Sequence, residues 1–224
     1  MPPGLFITGT DTGVGKTYVA ALIARELAST GRQVGIYKPV ASGCRRDGNR
    51  LVADDAVALW DAAGRPGELD AVCPQRFTAP LAPHRAAHAE GLSVDSGRLR
   101  SGLDPWRENS EVVLVEGAGG LMSPISDDDY NADLAAEFEY PLVVVAANVL
   151  GTINQTLQTL ITAATFRDGL SVAGVVLNDI ESTGDESAAS NAEEISARCV
   201  PPLLACVSHH GRFDRPVDWL DLAR

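Results

Sequence analysis

The chain has 224 residues, 45% hydrophobic and 21% charged, enough for one substantial core, and it reads as a single domain over residues 1–224 with no linker to divide it. A formal net charge of -12 argues against a basic stripe for nucleic acid or for an anionic membrane surface, and no apolar run approaches the ~20 residues of a membrane span. An acidic protein that takes a polyanion must gather its positive charge locally, which singles out Lys16 and Lys38.

The first elements carry the strongest motif. A short apolar run, Leu5 to Thr8, reads as a strand buried on both faces of a parallel sheet, and it enters Gly9-Thr10-Asp11-Thr12-Gly13-Val14-Gly15-Lys16-Thr17. This stretch is a phosphate-binding loop in variant form: five residues separate Gly9 from Gly15 instead of four. Its glycines let backbone N–H groups converge on phosphate oxygens, Lys16 reaches the outer phosphates, and the Thr17 hydroxyl can ligate Mg²⁺. The helix that follows, about Thr17 to Ser29, places Val19, Leu22, Ile23 and Leu27 on one face and stops near Gly31. So early a strand leaves no room for a signal peptide.

Val34 to Tyr37 is a second strand, and Lys38-Pro39-Val40-Ala41-Ser42-Gly43 leaves its C-terminal end, the edge at which ligands sit in an open parallel sheet. Lys38 and Ser42 are therefore expected beside the phosphate loop. Residues from Asp47 to about Ala63 begin polar and become helical, with Asp54 and Asp55 ahead of the apolar run; they either favour the helix N-terminus or supply one ligand to a metal. Prolines 74, 80 and 83 predict a loop followed by a short helix, on which His84 and His88 read as surface residues. Leu92 to Trp106 looks like an amphipathic connector.

Glu111 to Val115 then gives a central strand ending in Glu116-Gly117-Ala118-Gly119-Gly120. An acid delivered by a buried strand beside a phosphate loop is the arrangement that completes a Thr-bound Mg²⁺ shell, and the glycines allow close backbone approach to a nucleotide. Pro141 to Ala147 is a fourth strand, Gly151-Thr152-Ile153-Asn154 opens a helix to about Phe166, Val172 to Leu177 is a fifth strand ending at Asn178-Asp179, and a helix from Ser187 to Arg198 precedes a last strand, Leu203 to Val207. This alternation predicts an α/β fold of the P-loop NTPase type, a mostly parallel central sheet with helices on both faces. Cys44, Cys73, Cys199 and Cys206 lack Cys-x-x-Cys and zinc spacings, which reads as reduced thiols in a cytosolic protein.

Taken together and in this order, Gly9 to Thr17, Lys38 to Gly43, Glu116 to Gly120, Gly151 to Asn154 and Asn178-Asp179 resemble the dethiobiotin synthetase family along nearly the whole chain. The resemblance implies an ATP-dependent ligase of biotin synthesis, in which 7,8-diaminononanoate and CO₂ form a carbamate that takes the γ-phosphoryl of ATP before the second amine closes a ureido ring. It implies that Lys38 and Lys16 are catalytic, and that Gly13, Val14, Gly15, Lys16, Thr17, Asp55, Glu116, Gly117, Ala118, Gly119, Asn178 and Asp179 bind nucleotide. It assigns substrate contacts to Thr12, Lys38, Ser42, Gly120, Gly151 and Asn154, and Mg²⁺ to Thr17, Asp55 and Glu116, with Asp55 chosen over Asp54. It also implies a cytoplasmic homodimer with the active site near the interface.

Two departures from the family pattern stand out. Gly13 takes a position where a glutamate is frequent, and the last strand runs into Ser208 without the acid and proline that help hold adenine, so base selectivity is expected to be loose. The rival reading is a partition- or division-type ATPase switch. Asp11 stands where such proteins carry an extra lysine, and residues Phe213 to Arg224 form no basic amphipathic tail. A GTPase is disfavoured because Asn178-Asp179-Ile180 lacks an Asn-Lys-x-Asp base reader. A nucleotide-binding module without catalysis would leave Lys38 unexplained.

Overall fold

A computed structural model describes residues 1–181 and 186–224. Strand β1 (Gly4–Gly9) is buried along its length, as its Leu5-Phe6-Ile7 run dictates; each such side chain removed from water contributes about 1.5–3 kcal/mol. Helix α1 (Lys16–Ser29) buries Val19, Leu22, Ile23 and Leu27, and the chain leaves it through Gly31 in the left-handed region at φ 82. Strand β2 (Val34–Tyr37) is again wholly buried.

Between β2 and the next central strand the structure is richer than the sequence pattern. Residues expected to be a polar approach to a helix form a hairpin of β3 (Arg45–Asp47) and β4 (Arg50–Val52), antiparallel and turning at Gly48, where φ is 57. Its first strand is exposed and fully charged, so no apolar alternation announces it. Helix α2 (Asp54–Ala62) has both acids in its first turn. A single turn, α3 (Leu69–Val72), precedes the proline-broken loop, and α4 (Pro83–Ala89) is the short helix expected after it. The predicted connector resolves into α5 (Ser96–Ser101) and α6 (Asp104–Asn109), split near Gly102, where a Cβ would stand 2.5 Å from the Tyr37 hydroxyl.

Strand β5 (Val112–Gly120) does not end near Glu116 but continues through the glycines. Then follow α7 (Asn131–Phe138), β6 (Leu142–Ala147), α8 (Thr152–Thr165), β7 (Val172–Asn178), α9 (Ala188–Arg198), β8 (Leu203–Val207) and a short terminal α10 (Trp219–Leu222). The main sheet has six strands in the order β2-β5-β1-β6-β7-β8, and each of its pairings is parallel. Consecutive residues of β1, β2 and β6 are buried, the signature of a sheet covered on both faces. No helix among the described residues is long and apolar enough to cross a membrane.

Candidate active site

Three neighbouring strands, β2, β5 and β1, bring their C-terminal ends to one place. The loop leaving β1 turns through Gly13 and Gly15 at φ 79 and 87, a region that side chains rarely adopt and that glycine enters without steric cost. A Cβ at Gly15 would lie 2.1 Å from Asn178 Nδ2. That amide donates to the Val14 carbonyl at 3.0 Å, so the end of β7 fixes the height of the loop. Helix α1 starts with no side-chain cap and no acid in its first turn, which leaves its first N–H groups for an anion at the loop's mouth. Lys16 is only 7% exposed, and its Nζ donates to the Asp11 carbonyl at 2.9 Å. Burial lowers its pKa, against the pull of Glu116.

Lys38 leaves β2 and is almost completely enclosed, its side chain 4% exposed. Its ammonium lies 2.6 Å from Glu116 Oε1 and 3.0 Å from Asp55 Oδ2, and the Thr17 hydroxyl donates to the same Glu116 oxygen at 2.9 Å. Burial alone would lower the pKa of this lysine; Glu116 and then Asp55 more than reverse that and hold it above the usual lysine value. For Asp55 the balance is similar, with burial raising its pKa and Lys38 outweighing it, so that the carboxyl is held below its ordinary value. Asp54, one residue earlier, turns outward to Arg45 Nε at 2.8 Å. The second oxygen of Glu116 is buried with no hydrogen-bond partner among the described residues. A hydroxyl and two carboxylates, one with an uncommitted oxygen, form the hard-oxygen donor set that suits Mg²⁺.

These groups open on a cavity of about 630 Å³, lined by Thr12, Gly13, Gly15, Lys16, Thr17, Lys38, Ser42, Asp55, Glu116, Ala118 and Gly119 among the residues singled out from sequence. The remaining candidates lie elsewhere. Val14 is 4% exposed, and a Cβ at Gly117 would run into Asn131 and Phe6, so both positions are packed inward. Asn178 is engaged with the loop backbone, and Asp179 accepts from Asn148 Nδ2 at 2.7 Å; neither lines the cavity. Gly120 faces an adjoining cavity of about 470 Å³ bounded by Thr10, Asp11 and the α8 residues Gln155, Gln158, Thr159 and Thr162. Gly151 and Asn154, both exposed at the start of α8, line neither. Of His84 and His88, both expected at the surface, His88 is exposed with Nε2 3.2 Å from Asp127, whereas His84 is half-buried.

Sequence reasoning missed the far wall, formed by Pro80, Leu81, Pro83, Ser123 and Pro124; the proline spacing signalled a break in pattern but not which surface it would face. It also missed Asn131. The register between β1 and β5 shifts between Ile7 and Gly9, and such an irregularity leaves backbone groups without ladder partners. Asn131 supplies them. Its Nδ2 donates to the carbonyls of Ala118 and Gly120, both at 2.7 Å, and its Oδ1 accepts from Ala118 N at 3.1 Å. Replacing Asn131 with alanine is expected to cost about 2–3 kcal/mol, because part-buried backbone groups lose their partners. Urea denaturation of the two proteins measures this, and an unchanged midpoint would refute the role. A second brace acts on the segment before α7. Burial would raise the Asp129 carboxyl, but hydrogen bonds from Arg100, Ser126 and Ser96 prevail and hold its pKa at about 2.

A glycine-built loop with a bare helix N-terminus, its lysine, and an acid from the adjacent parallel strand define a P-loop nucleoside triphosphatase-type protein. A family model described as an AAA domain matches residues 3–217. The chain is 46% identical over 214 residues to the ATP-dependent dethiobiotin synthetase BioD of Rhodopirellula baltica, covering 90% of this chain and 82% of that protein. It is 43% identical over 195 residues to the protein of the same name from Anaeromyxobacter dehalogenans, covering 86% and 84%, and 36% identical over 201 residues to that from Bacillus subtilis, covering 90% and 85%. The chain belongs to the ATP-dependent dethiobiotin synthetase family. Among solved structures, a ParA family ATPase from Chlorobium tepidum aligns with a TM-score of 0.55 at 17% identity, covering 93% of this chain and 84% of that one. The signal recognition particle receptor FtsY of Elizabethkingia anophelis aligns at a TM-score of 0.50 and 16% identity, with this chain spanning 62% of its length. These two likenesses concern the fold alone.

Proposed function

We propose that the chain, acting as one domain, makes dethiobiotin from 7,8-diaminononanoate, CO₂ and ATP. One amine adds to CO₂ and loses a proton to give a carbamate; a carbamate oxygen attacks the γ-phosphorus and ADP leaves. The second amine then attacks the carbonyl carbon of the mixed anhydride and expels phosphate, closing the ureido ring. The observation that carries this reading is the placement of the Lys38 ammonium at the cavity floor, 2.6 Å from Glu116 on the strand next to the phosphate loop. Two anions must be held in line against their repulsion, and fixed cations in a site shielded from water do this best.

In this reading Lys16 and the N–H groups from Gly13 to Thr17 hold the phosphates, while Lys38 faces the carbamate and the transferring phosphoryl group. Thr12 and Ser42 border the diamine. Thr17, Asp55 and Glu116 would hold Mg²⁺, which supplies further positive charge to the phosphoryl oxygens. Asn178 and Asp179, at the end of β7, sit where a base could extend beyond the loop. Gly151 and Asn154 lie outside both cavities of their own chain, so they are assigned to the tail carboxylate across a homodimer interface. The net charge of -12 fits a cytoplasmic enzyme acting without nucleic acid or membrane.

Incubation with diaminononanoate, bicarbonate, Mg²⁺ and ATP, with the ureido product followed by mass spectrometry, tests the reading; absence of product with hydrolysis of ATP alone would favour a nucleotide switch. Because β8 leads into Ser208 without an acid or proline to hold a base, other triphosphates are expected to support kcat/KM within about tenfold of ATP, the modest discrimination of a site without dedicated hydrogen bonds. A much larger preference for ATP in parallel assays would show that the base has partners elsewhere.

A further inference from the structure

Lys38 is held by the residues that fit a divalent cation. Its Nζ touches Glu116 Oε1 at 2.6 Å and Asp55 Oδ2 at 3.0 Å, and Thr17, the third member of that donor set, hydrogen-bonds to the same Glu116 oxygen at 2.9 Å. Glu116 is 2% exposed, and its buried Oε2 has no hydrogen-bond partner among the described residues, so one oxygen of its carboxylate serves the ammonium while the other is free for a second positive partner. A lysine that balances these carboxylates is not at the same time directed at a carbamate. Its four-carbon stem nevertheless gives the ammonium reach, and Ser42 and Thr12 border the same cavity.

Resting on the proposed reaction, we infer that Lys38 is a resident counter-cation for the metal's carboxylates: a divalent cation and the Lys38 ammonium compete for Glu116 and Asp55, and metal loading turns Lys38 out toward the substrate side of the cavity. The site's two functions are thereby ordered. Before loading, the buried Glu116 charge is balanced from within the chain, which avoids the cost of an unpaired buried carboxylate. After loading, the dication takes over that balance and the ammonium becomes available to an incoming anion. Lys38 thus offers its charge to the carbamate only when the metal that accompanies the nucleotide is in place, which disfavours carbamate capture in a site that lacks its phosphoryl donor.

The composition of the chain makes the test clean, because Lys16 and Lys38 are its only lysines, and arginine supplies every other basic residue apart from histidine. The intact wild-type protein is treated with a trace of an acetylating reagent, with and without Mn²⁺ and in the absence of nucleotide, and acetylation of each lysine is read by peptide mass spectrometry. Lys38 is expected to react at least about threefold faster with Mn²⁺, and Lys16, which donates to the Asp11 carbonyl, to change less. In parallel, Mn²⁺ binding measured by electron paramagnetic resonance is expected to be about tenfold tighter for Lys38→Met than for wild type, since a unit charge beside the two carboxylates is removed. Equal Mn²⁺ affinity in the two proteins, or Lys38 acetylation that Mn²⁺ leaves unchanged or slows, overturns the inference. The labelling arm needs no variant to fold, and neither arm needs turnover, so either failure stands apart from the outcome of the product assay.

Discussion

Lys38→Ala is expected to lower kcat for ureido product formation by about a thousandfold, the scale seen when one preorganised charge is removed from a phosphoryl- or acyl-transfer site. Geometry supports so large an effect. The side chain is 4% exposed, and no other lysine is available to replace it except Lys16, which is committed to the phosphate loop. The same substitution leaves Glu116 buried without its cation, which costs about 3–5 kcal/mol of stability, so the assay must be referred to the folded fraction from a denaturation curve. Lys38→Arg separates the two effects: it keeps the charge and most of the stability, but its planar fork cannot reproduce a point charge on a flexible stem. Nucleotide binding, read as a thermal shift with ATP, should survive in both variants. Turnover of Lys38→Ala within tenfold of wild type would remove Lys38 from the mechanism.

The second large effect is expected at Gly15. Alanine there must adopt φ 87 and push its Cβ to 2.1 Å from Asn178 Nδ2. The backbone strain alone costs about 1–3 kcal/mol, and the collision must be relieved by moving either the loop or the end of β7. Since the first N–H groups of α1 follow directly, nucleotide affinity should fall by at least about a hundredfold, the loss of two or so well-placed hydrogen bonds to a charged group. The collision has a named partner, so its share can be tested. Gly15→Ala combined with Asn178→Ala should recover part of the binding, leaving only the dihedral strain, whereas Asn178→Ala alone should weaken binding through loss of its bond to Val14. Calorimetry with a non-hydrolysable triphosphate on the four proteins gives the coupling, and strictly additive losses would mean that the two residues do not meet in solution.

Much of the candidate site is legible in sequence because its parts are local signals. The phosphate loop declares itself by glycine spacing between a strand and a helix, Lys38 by its position after a buried strand, and Glu116 by the apolar run before it. Asp55 needed the family resemblance, and the structure gives the physical reason for it: the hairpin β3–β4 supplies Arg45 to draw Asp54 outward. What stayed hidden depends on groups distant in the chain. Nothing local announces that the Asn178 amide holds the Val14 carbonyl, 164 residues away. Asn131 carries no motif at all; its role exists only because the β1–β5 register shifts at the glycines, which themselves read as a loop leaving the strand rather than as its continuation. The hairpin was invisible because charged, exposed strands have no alternation to detect.

The order β2-β5-β1 bears on how the protein emerges during synthesis. The strands that lead to Lys16 and Lys38 are made early but are never neighbours; the one that belongs between them delivers Glu116 only 78 residues after Lys38. A ribosome-bound chain therefore has to keep a slot for a middle strand it has not yet made. Until β5 threads that slot, Thr17 and Lys38 lack the carboxylate they share, so the candidate site of the nascent polypeptide is incomplete before its core has closed.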